Sequence, residues 1–155
     1  MTASKNDQEF LQQAVDLARQ NAAKGGRPFG AVVVRDNRVI ATGVNDMHHD
    51  CDPTAHAELQ ALRQAGRELG QLTLTGCTLY ASGHPCAMCM GALVLANVSR
   101  VVYAAGEDVG RPYGLMVSPL YDAMARPVGQ QGIIVQHYPQ PEMADIYASW
   151  HAAQA

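Results

Sequence analysis

Phe10, Leu11, Ala14, Val15, Leu17 and Ala18 recur at helical spacing among Asp7, Gln12, Gln13, Asp16 and Arg19, which predicts a helix over 4–23. Ser4 is its expected N-cap, and Gly25-Gly26 ends it. Two short β runs follow, 31–35 and 38–42, with the hairpin signal Asp36-Asn37 between them. The stretch 47–52 is polar and reads as a loop, and 53–69 as a helix whose apolar side is Leu59, Leu62 and Ala65. A third β run spans 77–81. Pro85 suits the first position of a helix over 85–96 that is apolar nearly all round and so expected to be buried. A fourth strand at 100–104, a loop at 107–112, a short helix at 119–124, a fifth strand at 132–137 and a last helix at 141–153 complete the chain. Strands interleaved with helices predict an α/β fold: a three-layer α/β/α sandwich on a central five-stranded mixed sheet.

A chain of 155 residues with 48% hydrophobic and 16% charged positions forms one globular domain, expected to span 1–155. No apolar run approaches the roughly 20 residues of a membrane span. The polar start (Lys5, Asn6, Asp7) is unlike a secretory signal, so the expected location is cytoplasmic. The net charge is −3, and beyond Arg126 there is no Lys or Arg. A general grip on nucleic acid relies on such residues to neutralise phosphates, so nucleic acid is not the expected partner.

With no export signal, the four cysteines (Cys51, Cys77, Cys86, Cys89) point to metal binding or free thiols rather than disulfides. Their company sharpens this. His56 and Glu58 follow Pro53, and Pro85-Cys86-Ala87-Met88-Cys89 comes about thirty residues later, giving H-x-E…P-C-x-x-C, the pattern of zinc nucleobase deaminases. Cys86 and Cys89 are three apart, so on a helix they share one face, and a helix N-terminus favours thiolates. His56 is the third expected ligand of one Zn²⁺ per chain, leaving the fourth position open for water, whose pKa zinc lowers toward about 7. Glu58 is then the expected proton carrier, from water to ring nitrogen and leaving amine. Taken singly, these residues have blander readings. Cys-x-x-Cys serves redox dithiols, a histidine at a helix start is often only polar, and Cys51 or Cys77 could close a purely structural zinc site. Cys77, at a strand start, fits a core position better.

Together with Pro28-Phe29-Gly30-Ala31-Val32-Val33-Val34 and Asp52-Pro53-Thr54-Ala55-His56-Ala57-Glu58, these motifs resemble the cytidine deaminase-like superfamily over about 10–135. The similar branch holds bacterial guanine deaminases, fungal-type cytosine deaminases and tRNA adenosine deaminases. The resemblance implies the same zinc ligands and Glu58 as the shuttle. It also implies that Asn45 and the Ala57 backbone N–H contact the substrate ring, and that the enzyme is a homodimer. Phe29 is either a pocket wall or a core aromatic. His84 stands where many relatives carry Glu, either as a loop residue or against substrate or a partner subunit. In guanine deaminases of this branch the C-terminal segment closes the pocket. Glu142, then Asp145, are the acids expected to assist binding there, although acids at a helix start also complement its dipole. Tyr147 and Trp150 share a face of that helix, for packing or for a lid. Glu107 and Asp108 enter the loop before Arg111–Met116, as ring readers or surface charges. The expected reaction is zinc-dependent hydrolysis of an amino group from a free nucleobase or related aminated ring, guanine or another aminopurine first. A cytosine-type base or a tRNA adenosine is the alternative.

Overall fold

The computed structural model describes residues 5–154, and the expected cap Ser4 lies outside them. The chain divides into two compact units, Met1–Asp122 and Ala123–Ala155. In the first, helix α1 (Lys5–Ala23) precedes β1 (Gly30–Arg35) and β2 (Arg38–Val44). A short α2 (Met47–Asp50), α3 (Ala57–Leu69), β3 (Thr78–Gly83), α4 (Ala87–Leu95), β4 (Arg100–Ala105) and α5 (Glu107–Gly110) follow. A 3-10 turn at Arg111–Tyr113 leads into α6 (Ser118–Met124), and the second unit carries α7 (Glu142–Ala152).

The sheet runs β2-β1-β3-β4, antiparallel except for the parallel pair β3/β4, so it is mixed. Asp36 and Asn37 both take positive φ (51° and 58°), the tight turn expected of the hairpin signal. Side chains of β1 alternate between faces. Val32 and Val34 pack with Tyr80 against Phe10 and Ala14 of α1. Ala31 and Val33 pack with Leu79 against Ala57, Ala61 and Ala65 of α3 and Leu93 of α4. Helices thus flank both faces of the sheet. On the α1 side, Asp7 accepts hydrogen bonds from Tyr80 Oη (2.7 Å) and from Arg100 Nη1 (2.6 Å) and Nη2 (3.0 Å), tying the helix to β3 and β4.

Gly43 sets the position of α3. A Cβ there would collide with Ala57 O and Ala61 N, which are backbone and cannot swing away. Gly43→Ala should therefore lower stability by about 1–3 kcal/mol and reduce activity with it, since it displaces the turn that carries Glu58. Gly91→Ala is the control: it opens onto free space within α4 and should be neutral or stabilising by up to about 1 kcal/mol. Urea melts and kcat/KM on both variants make the comparison.

Several expectations need correction. The sheet has four strands, because residues 132–137 form none among the described residues. Gly132 has φ +87°, and the apolar run Ile133-Ile134-Val135 is only three residues long before Pro139. A strand needs a ladder partner as well as β-branched side chains. α3 starts at Ala57 rather than at 53, because Asp52 Oδ1 accepts from Thr54 N and Thr54 Oγ1 (both 2.7 Å), a local turn that competes with the helix. The expected loops at 47–52 and 107–112 contain the short helices α2 and α5. α4 is buried on one face only: Cys89 and Leu93 point inward, while Val94 and Leu95 are 72% and 87% exposed.

Candidate active site

β3 and β4 end side by side, with Gly83 in register with Ala105 and His84 N donating to Ala105 O (2.9 Å). Beyond these carboxyl ends the N-termini of α3 and α4 meet. His56 and Cys86 occupy the two N-cap positions in extended conformations, and neither side chain caps its own helix. Both turn instead toward Cys89. His56 Nδ1 lies 3.6 Å from Cys86 Sγ and 3.5 Å from Cys89 Sγ, and the two sulfurs are 3.6 Å apart. Zinc–sulfur and zinc–nitrogen bonds at tetrahedral angles need ligand separations of roughly 3.5–3.8 Å. The triangle therefore fits one tetrahedral ion with one corner open, and His56, Cys86 and Cys89 form the one group among the described residues placed to hold a metal.

The electrostatics suit a cation. The hydrogen bond from Cys89, then the one with His56, pulls Cys86 down to about 4, so it is a thiolate at neutral pH. The same bond, with burial, pushes the Cys89 thiol up, and His56 is raised by its bond to Cys86. The three donors thus share protons that a divalent ion would displace. Cys77 is buried in the core and its thiol is raised by burial, so it is structural. Cys51 is exposed at the C-cap of α2 and belongs to no metal group.

Glu58, 7% exposed, sits one residue into α3, with Oε2 3.5 Å from Cys89 Sγ. Burial raises its pKa above the ordinary carboxylate value. A cavity of about 360 Å³ adjoins it, lined by Phe29, Asn45, His56, Glu58 and Cys86 and by Gly110, Tyr113, Gly114, Leu115, Met116 and Val117. Phe29 is thus a wall of the cavity as well as packed against the core. Asn45 is buried, its N donating to Phe29 O (3.2 Å) and its Oδ1 accepting from Met47 N (3.4 Å). Ala57 is buried at the first position of α3 and contributes no side chain to the lining. Glu142 and Asp145 lie in the first turn of α7, in the second unit.

Of three further lining features, the sequence left the roles of His84 and Glu107 open and did not single out Arg27. The His84 ring stacks on Tyr103 (4.7 Å) and on Tyr121 (5.7 Å), whose hydroxyl donates to Pro85 O (2.9 Å). Glu107 is a clamp rather than a ring reader: it accepts from Arg111 Nη2 (2.6 Å), Ser118 Oγ (2.7 Å) and Ser118 N (2.8 Å), and these bonds to Ser118 lower its pKa. Arg27 also lines the cavity. A serine eleven residues from a glutamate carries no periodic signal, and an arginine beside Pro-Phe-Gly reads as an ordinary loop cation.

Residues 4–105 match the cytidine and deoxycytidylate deaminase zinc-binding region, and the chain belongs to that family. It is 38% identical over 146 residues to the guanine deaminase of Bacillus subtilis (strain 168), covering 94% of each chain. The crystal structure of that B. subtilis guanine deaminase superposes with TM-score 0.86 at 37% identity, over 94% of this chain and 93% of the other. The tRNA-specific adenosine deaminase of Aquifex aeolicus (strain VF5) is 32% identical over 141 residues, 91% of each. A mutant protein solved in complex with 8-azaguanine gives TM-score 0.68 at 27% identity, over 92% of this chain and 72% of that one. The chain is accordingly a zinc-binding deaminase of the cytidine deaminase fold. No described helix is long and apolar enough to cross a membrane.

Proposed function

We propose that this protein removes an amino group hydrolytically from a free nucleobase, guanine or a related aminopurine first, and releases ammonia. The observation that carries this is the three-ligand triangle with a buried carboxylate beside it, both lining a cavity. Zinc held by His56, Cys86 and Cys89 would lower the pKa of a water toward neutrality and so supply a nucleophile at neutral pH. Glu58 carries one proton from the attacking water to the ring nitrogen, then a second, released as the ring carbonyl forms, to the amine, which departs as ammonia. Burial raises the Glu58 pKa, which favours the proton-holding form that the return of a proton needs. Asn45 and the Ala57 backbone N–H hold the ring, and Phe29 packs on it. The relatives named for guanine deamination, and the neighbour solved with 8-azaguanine, support a purine ring.

The whole chain, 1–155, acts as one deaminase, and Glu142, then Asp145, are its candidate acids for assisting the substrate. The enzyme works as a cytoplasmic homodimer, and the exposed outer face of α4, with Val94 and Leu95, is suited to a second copy. The chain has no Lys or Arg after Arg126, which supports a free base over a tRNA. Ammonia release from zinc-loaded protein is to be measured with guanine, 2,6-diaminopurine, adenine and cytosine. Turnover is expected on a purine. Inosine formation in tRNA with no turnover of any base would redirect the assignment.

A further inference from the structure

Arg27 is the one lysine or arginine among the residues lining the cavity. Its backbone is fixed although it lies in a loop. Its carbonyl accepts from Phe29 N (2.8 Å) and from Asn21 Nδ2 (2.8 Å). The same buried amide nitrogen donates to Asn45 O (2.9 Å), so Arg27 and Asn45 are tied to one side chain. Gly26 leaves no room for a Cβ beside that amide, and Pro28 restricts Arg27 to extended backbone. No described residue of the first unit pairs with its guanidinium.

The other charged groups lining the cavity are engaged. Glu107 is held by Arg111 and Ser118, and Glu58 belongs to the metal end. The cavity therefore presents one unpaired donor fork and no spare carboxylate. Val109, Leu115, Met116 and Val117 add an apolar part to the lining.

Building on the nucleobase reading, we infer that Arg27 is a specificity-determining residue whose guanidinium takes the paired acceptors of an oxopurine edge, a ring carbonyl beside a ring nitrogen. A planar fork matches two such acceptors, as arginine does with the O6/N7 edge of guanine in nucleic acids. An amino group in place of that carbonyl presents a donor to a donor, and a site built to bond one edge rejects the other.

The test compares guanine with 2,6-diaminopurine, by kcat/KM and by Kd, on zinc-loaded wild type, Arg27→Met and Arg27→Lys. Wild type should favour guanine by at least ~10-fold. Arg27→Met should lose at least ~10-fold on guanine, mainly in KM, and little on 2,6-diaminopurine, so the preference collapses. Arg27→Lys, which keeps charge but not the fork, should fall between. Zinc content and Tm should not change. An unchanged guanine preference in Arg27→Met, or an equal loss on both bases, overturns the role of Arg27 while leaving the deaminase reading intact. A wild type that binds neither base overturns the role of Arg27 together with the guanine-first reading.

Discussion

Glu58→Gln should retain zinc and lose kcat by about 10²–10⁴-fold, the range that a positioned general acid–base supplies. The substitution keeps size and hydrogen bonding but cannot carry a proton. Position explains why the loss should fall on kcat: Glu58 lines the cavity beside the metal triangle, against Cys89 Sγ. A structural readout separates this from misfolding. Because burial raises the Glu58 pKa, the fold favours the protonated form. The stability this residue contributes is therefore complete below the ordinary carboxylate pKa and is lost as pH rises through the raised one. In chelated protein Glu58→Gln removes an ionisable group whose charged form burial penalises and should melt no lower than wild type. Activity within ~10-fold of wild type would remove Glu58 from the reaction.

That residue pair, His56 and Glu58, was legible in the sequence because its chemistry is written in short covalent spacing, as is that of Cys86 and Cys89. The hairpin at Asp36-Asn37 and the alternation along β1 were legible for the same reason: each is decided within a few residues. What depends on distant partners was not. The run at 133–135 has strand-forming side chains but cannot supply its own ladder. α4 has apolar residues all round, yet only coordinates show that one face meets α3 and β3 while Val94 and Leu95 do not. Glu107 looked like a loop acid until Ser118, on another element, came within hydrogen-bond distance. The start of α3 shifted because a side-chain turn at Asp52 competed with a helical pattern that continued upstream of it.

Cys86→Ser should reduce zinc from one per chain to a trace, abolish turnover, and lower the stability of zinc-loaded protein by about 4 kcal/mol at free zinc a thousandfold above Kd. The reason lies in where the ligands sit. His56 precedes α3, and Cys86 and Cys89 open α4, so one ion links two helix N-termini across the end of the sheet. Hydroxyl oxygen is a poor substitute for thiolate, and Cys86 is the donor already held as thiolate at neutral pH. Cys89→Ser should match it in zinc and activity but cost more in chelated protein. Cys89 is fully buried, and a hydroxyl there needs a partner that the sulfur does not. Cys77→Ala is the informative contrast. It is equally buried but belongs to the core, so it should lose stability, about 1–3 kcal/mol, while keeping zinc and turnover. Metal analysis, thermal melts with and without chelator, and zinc readdition distinguish the three. If Cys86→Ser retains full zinc, the His56–Cys86–Cys89 triangle is not the metal site.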